Sequence, residues 1–288
     1  MRFSKYHGAG NDFLLIEDLE DVISLTPELV AAMCDRARGV GADGVIRITR
    51  SSTAAPFAMD LWNADGGRAE MSGNGMRCVA RFLLDRGLAE GPEIEVDTAA
   101  GPKRVRVTLR DGHMDSARVD MGPPILERGR IPMTGPPGER FVGEPFPDAG
   151  PGYRGTAVSM GNPHLVLVGA EGLDALDLPR IGPVLEHHPD FPQRTNVEWI
   201  VVDDGRLEVR VWERGVGETL ACGTGACACL VAASLLGLAG RRATVRFPGG
   251  DLEVEWGPDD HVYLGGPATH VFDGELSPSL TPREEARR

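Results

Sequence analysis

Lysine is almost missing from this chain of 288 residues: Lys5 and Lys103 are the only two, so nearly all of its 30 positive side chains are arginine. A pyridoxal phosphate enzyme needs a Schiff-base lysine, and only these two positions could supply one. Positive charge is scarce as a whole, because 43 acidic residues leave a formal net charge of −13. That balance argues against a general nucleic-acid binder, which needs a basic face to displace counterions from phosphates. It leaves room for a local cationic pocket. No apolar run approaches the ~20 residues of a membrane helix. The opening MRFSKYHGAGNDF has no apolar signal segment before its first glycines. These absences predict a soluble, cytoplasmic protein without nucleic-acid or membrane partners. No G-x-G-x-x-G follows a strand and no G-x-x-x-x-G-K-S/T occurs, which argues against dinucleotide and nucleoside triphosphate use.

Cysteines are few and odd in number: Cys34, Cys78, Cys222, Cys227 and Cys229. An odd set without a secretion signal reads as reduced thiols rather than a disulfide scaffold. Cys227 and Cys229 lack the C-x-x-C spacing of a zinc site, and no second pair answers them. No metal is expected.

What the chain does have is an internal repeat. At an offset of 150, Leu61 to Gly67 lies over Val211 to Gly217, and Met71-Ser72-Gly73-Asn74-Gly75 lies over Ala221-Cys222-Gly223-Thr224-Gly225. Trp62 meets Trp212, and three glycines coincide. At an offset of 151, Gly10 to Ile16 lies over Gly161 to Leu167. A unit this long is a domain rather than a solenoid repeat. The expectation is two similar domains in tandem.

Short β-rich runs recur at Phe13–Ile16, Val45–Ile48, Arg104–Leu109, Leu165–Val168, Glu198–Val202, Leu207–Trp212, Thr244–Phe247 and Leu252–Trp256. Helical patterns cover Pro27–Ala37 behind the cap Thr26, Asn74–Arg86 with Gly87 as a C-terminal stop, and Thr224–Leu238. The last is apolar almost all round, as expected of a helix wrapped by strands. The Pro/Gly-rich stretch Pro132–Gly155 reads as a long surface loop or inter-domain segment. The tail after Thr281 reads as solvated.

Ser72-Gly73-Asn74-Gly75 and Cys222-Gly223-Thr224-Gly225 each follow a strand-like tryptophan by ten residues and open a helix. Such a start points backbone N–H groups and about half a positive charge at a ligand, which suits a carboxylate or phosphate. A thiol there is expected to have a lowered pKa. For a single turn the plainer reading is a tight strand-to-helix connection; two copies related by duplication suggest one ligand held between two domains. Inversion at a carbon needs such opposed groups, one removing a proton and the other delivering one. Helix-start N–H groups could stabilise the carbanion. No cofactor is required.

At these residues the chain resembles the diaminopimelate epimerase family. The matching segments are GAGNDF at the start, GVGADG at 39–44, WNADGGRAEMSGNGMRC at 62–78, GNPH at 161–164, TNVEW at 195–199 and ERGVGETLACGTGACA at 213–228. The resemblance implies an α/β fold of two pseudo-symmetric domains, each a curled β-sheet around a central helix, with the site in the cleft between. Residues 1–122 with 267–288 would form one half and 123–266 the other. It implies cofactor-independent epimerisation of LL- to meso-diaminopimelate, a step toward lysine and peptidoglycan, and allows a homodimer.

The family's substrate asparagines fall on Asn11, Asn63, Asn162 and Asn196. Its pair that reads the second amino-acid head falls on Glu213 and Arg214, and the turns supply Gly73, Asn74, Gly223 and Thr224. His164 falls beside the reacting centre, where a core histidine is the competing reading. The second catalytic cysteine falls on Cys222, but the first falls on Ser72. An aliphatic hydroxyl is a far weaker acid than a thiol and a poor base. Three readings of Ser72 stay open: a working variant, an engineered Cys→Ser change that binds without efficient turnover, or a relative with another racemase or dehydratase reaction. Some family members carry Gln at the place of Gly44. Cys34, Cys78, Cys227 and Cys229 read as core packing.

Overall fold

The computed structural model describes residues 1–169, 172–203, 205–277 and 280; the tail after Thr281 lies outside them. The chain begins with β1 (Arg2–Gly8), β2 (Asn11–Glu17), α1 (Pro27–Cys34), β3 (Gly44–Arg50) and β4 (Phe57–Asn63). It continues through β5 (Arg68–Ala69), α2 (Gly73–Asp85), β6 (Glu93–Thr98), β7 (Gly101–Arg110) and β8 (His113–Asp120). A second series follows: β9 (Glu144–Pro145), β10 (Arg154–Ser159), β11 (Pro163–Val168), α3 (Leu178–Glu186), β12 (Asn196–Asp203) and β13 (Arg206–Glu213). After β14 (Gly217–Thr219) come α4 (Gly223–Leu235), β15 (Arg242–Phe247), β16 (Gly250–Trp256), β17 (Val262–Gly266) and finally β18 (Thr269–Glu275). Each run read as β-rich from the sequence lies inside one of these strands.

Two units emerge, Met1–Val119 with the chain from Pro267, and Asp120–Gly266. Each repeats one ladder. In the first, β1 is antiparallel to β18 and β2, β2 is parallel to β3, β3 antiparallel to β4, β4 parallel to β6, and β6, β7 and β8 form an antiparallel run. In the second, β10 is antiparallel to β9 and β11, β11 parallel to β12, β12 antiparallel to β13, β13 parallel to β15, and β15, β16 and β17 antiparallel in turn. Parallel neighbours need a crossover of a dozen or more residues. Helices α1 and α2 supply the two crossovers of the first unit, α3 and α4 those of the second.

The pseudo-symmetry extends along the central helices. Helix α2 ends with Gly87 at φ +64°, Gly87 N–H on Leu84 O and Leu88 N–H on Leu83 O. Helix α4 ends with Gly237 at φ +69°, Gly237 N–H on Ser234 O and Leu238 N–H on Ala233 O. Both are the αL stop in which glycine avoids a Cβ clash. The offset of 150 therefore holds from cap to cap. Helix α4 buries Gly223 and every residue from Gly225 to Ala233, as its all-round apolar sequence predicts.

Two expectations need correction. The stretch Pro132–Gly155 is irregular apart from β9 and the start of β10, but it lies wholly within the second unit, and Met133, Phe141, Phe146 and Tyr153 fall in that unit's core. Composition reported an irregular backbone; isolated aromatics in it have no period that would report burial. Helix α3 escaped the sequence reading because Gly182 and Pro183 interrupt it. Gly182 is required there, since a Cβ would stand 2.3 Å from Trp212 Cδ2.

All five cysteines are free and buried. Burial, with the carboxylates of Asp12 and Asp43, pushes the Cys34 thiol up to about 12, and burial pushes Cys78 up to about 12. Burial also raises Cys229. Unfolded thiols ionise near ~8.5, so above that pH the native state binds more protons than the unfolded chain. Stability is then fully present below ~8.5 and is lost as pH rises toward 12, by about 1.4 kcal/mol per pH unit for each of Cys34 and Cys78. The melting temperature should fall steadily between pH 8.5 and 11 in reducing buffer. A flat profile over that range would contradict these burial shifts.

Candidate active site

In the first unit, Ser72 caps α2 in an extended conformation, and its Oγ accepts the Gly75 N–H at 3.0 Å. Such a cap contributes about 1 kcal/mol. Asn74, buried in the first turn, donates from Nδ2 to Asn11 Oδ1 at 3.1 Å. Its own Oδ1 accepts Arg77 Nη2 at 2.8 Å. Arg77 is fully buried and also donates to Gly73 O and Pro267 O. Asn11 Nδ2 donates to Asp43 Oδ2 at 2.8 Å, and Arg36 joins Asp43 to Asp12. The Asn11 amide is thus held by both of its ends. Asn63 ends β4 opposite Gly44 and is exposed. Gly44 has no room for a side chain, because a Cβ would lie 2.5 Å from Trp62 O.

In the second unit, Cys222 caps α4 in the same conformation. Its Sγ accepts the Gly225 N–H at 3.4 Å and stands 3.5 Å from Thr224 Oγ1. The thiol departs from the sequence expectation: its pKa is raised, not lowered. Burial is the main cause, and the carboxylates of Glu213 and Glu198 add to it. The Thr224 and Gly225 hydrogen bonds pull the other way and do not prevail. A helix start is worth ~0.3–1 kcal/mol at a surface, too little against burial with Glu213 and Glu198 close by.

His164 is fully buried, with Nδ1 2.7 Å from Glu198 Oε1 and Nε2 3.0 Å from Asn162 Oδ1. Asn196 Nδ2 donates to Pro163 O at 2.8 Å, and its Oδ1 accepts the Arg214 N–H at 3.0 Å. Glu213 accepts the Thr219 hydroxyl.

Two site residues were missed from the sequence. Glu198 is fully buried and faces the α4 start, where a Gly225 Cβ would come within 2.7 Å of its Oε1. Glu186, on α3, accepts the Gly215 N–H at 2.9 Å, Arg194 at 3.2 Å and Trp212 Nε1 at 2.9 Å. It braces the turn that carries Glu213 and Arg214. Only the TNVEW segment offered a signal for Glu198; Glu186 had none. Among the described residues no three His, Cys, Asp or Glu side chains are grouped as a metal ion requires.

Two helix starts with a proton-bearing side chain at each cap, and an asparagine with an engaged carbonyl in each unit, suit acid–base chemistry at a carbon next to a carboxylate. The profile of diaminopimelate epimerase matches residues 3–127 and 156–271. The chain belongs to the diaminopimelate epimerase family. It is 49% identical over 278 residues to the diaminopimelate epimerase of Pelotomaculum thermopropionicum, covering 96% of this chain and 98% of that one. It is 50% identical over 279 residues to that of Desulforudis audaxviator, covering 96% and 99%. The family's fold recurs in a solved structure described as a probable proline racemase from Agrobacterium radiobacter, at TM-score 0.71 and 19% identity, covering 99% of this chain and 94% of that one. No helix among the described residues is long and apolar enough to cross a membrane.

Proposed function

We propose that this protein interconverts LL- and meso-diaminopimelate by proton transfer at the α-carbon, in the cytoplasm and without a cofactor. The reading rests on one observation above all: the duplicated helix start, with Ser72 at one cap and Cys222 at the other. Cys222 and Ser72 are the proton carriers for the same α-carbon. The N–H groups of Gly73, Asn74, Gly223 and Thr224 receive the carboxylate and the charge that moves into it as the proton leaves. Asn11, Asn63, Asn162 and Asn196 orient the substrate, and Glu213 with Arg214 reads the distal head, which needs both a carboxylate and donors.

A second reading, binding without efficient turnover, is favoured by Ser72 alone. Incubation with LL-diaminopimelate in D₂O separates the two. An epimerase places deuterium at the α-carbon and forms the meso isomer, a dehydratase loses water, and a binder only raises the melting temperature. We expect deuterium incorporation. A thermal shift without any incorporation over days would support the binding reading instead.

A further inference from the structure

The two units engage the same atom of their glycine-turn asparagine by different means. Asn11 Oδ1 accepts from Asn74, whose amide is turned by the buried Arg77. In the second unit Thr224 takes the place of Asn74 and bonds to Cys222 instead. There Asn162 Oδ1 faces His164 Nε2, and His164 in turn faces Glu198. The fold does not require this polar pair. Repeat register puts Phe13 at the place of His164 and Ile46 at that of Glu198: Leu15 pairs with Ile46 as Val166 pairs with Glu198. Ile46 Cδ1 also lies against Gly75 as Glu198 Oε1 lies against Gly225. A buried polar pair where an apolar one serves is weak evidence for stability.

Proton counting narrows its state. Donation to Asn162 Oδ1 requires a hydrogen on Nε2, and the 2.7 Å contact between Nδ1 and Oε1 requires one more. The pair then holds two protons and is neutral overall, whichever side of that contact the shared proton occupies. Reversing the Asn162 amide would remove the Nε2 hydrogen and leave a net negative charge. Both side chains are fully buried, and Glu198 Oε2 has no hydrogen-bond partner among the described residues. A net charge is costly in such a place. The thiols of Cys222 and Cys229 lie close enough to Glu198 to feel its charge.

We propose that Glu198 is a positioning residue: by sharing a proton with His164 it keeps a hydrogen on Nε2, which fixes the Asn162 carbonyl and turns the Asn162 NH₂ toward the substrate carboxylate. The substrate clause rests on the function proposed above; the proton arrangement does not.

The test uses the full chain labelled with ¹⁵N-histidine. The double variant His164→Phe/Glu198→Ile, which copies the first unit, identifies the His164 signals by their loss, and it should melt no lower than the parent. In the parent protein Nε2 of His164 should carry a hydrogen. In Glu198→Gln, which keeps the shape and an acceptor but shares no proton, the Nε2 hydrogen should be lost. Affinity for diaminopimelate, read by calorimetry, should fall about ten- to a hundredfold, the loss of one hydrogen bond to a charged group. Unchanged His164 signals in Glu198→Gln, or a double variant that cannot fold, would overturn the proposal. A parent protein that keeps the Nε2 hydrogen but does not bind diaminopimelate would overturn the functional reading alone.

Discussion

Replacing Ser72 with cysteine should raise epimerisation by orders of magnitude. A positioned acid–base group contributes about 10²–10⁴-fold, and a hydroxyl retains only the donor half of that role. Ser72 Oγ caps α2 through the Gly75 N–H, and Cys222 Sγ makes the same contact with Gly225, so a thiol at position 72 has a working geometry to copy. A second signature belongs to the serine protein. Because a catalyst cannot shift the equilibrium between stereoisomers, slow abstraction on the Ser72 face slows net conversion both ways. Exchange without inversion escapes this limit, since Cys222 can remove and return a proton on its own face. One isomer should therefore exchange its α-hydrogen for deuterium faster than it epimerises, while the other stays nearly inert. Ser72→Cys should even out the two rates. Equal exchange in the serine protein, with no gain on Ser72→Cys, would mean that Ser72 works as a base through a relay and that the proton-affinity argument fails.

Loss of Cys222 should be the most damaging single change. Cys222→Ala is expected to bring α-exchange down to the uncatalysed background, because its counterpart at the duplicated helix start, Ser72, is a hydroxyl. The pH profile of the parent protein carries the sharper test. Burial with Glu213 and Glu198 holds the thiol protonated well above the usual cysteine range. Below its pKa the thiolate fraction rises tenfold per pH unit. Exchange should therefore climb about tenfold per unit from pH 7 to 9 with no plateau. A plateau already reached near pH 7.5 would show that the thiolate forms readily, and that the helix start prevails over the two carboxylates after all.

Much of this was legible in the chain itself. The duplication could be read because glycine cannot be replaced cheaply where φ is positive, as at Gly10 and Gly161, and because these glycines recur at nearly the same offset as the paired tryptophans. The strands could be read because β2 and β11 are buried on both faces and appear as continuous apolar runs. The two helix caps could be read because a strand-to-helix turn that exposes N–H groups needs small residues. The resemblance carried by those same turns named the asparagines and the Glu213–Arg214 pair.

Other features depend on distance through space, for which local sequence has no signal. Parallel pairing of β11 with β12 sets His164 against Glu198 across 34 residues, and nothing near either residue announces the other. Glu186 reaches the Glu213–Arg214 turn only because Gly182 lets α3 settle on Trp212. The aromatics of 132–155 entered the core without any periodicity to betray them. Most consequential is the state of Cys222. The sequence by itself determined that a thiol caps a helix, which predicts a lowered pKa. Only the tertiary structure decided how dry that cap is and that Glu213 and Glu198 lie beside it, and burial, the largest cause, outweighs a half-charge at a helix end.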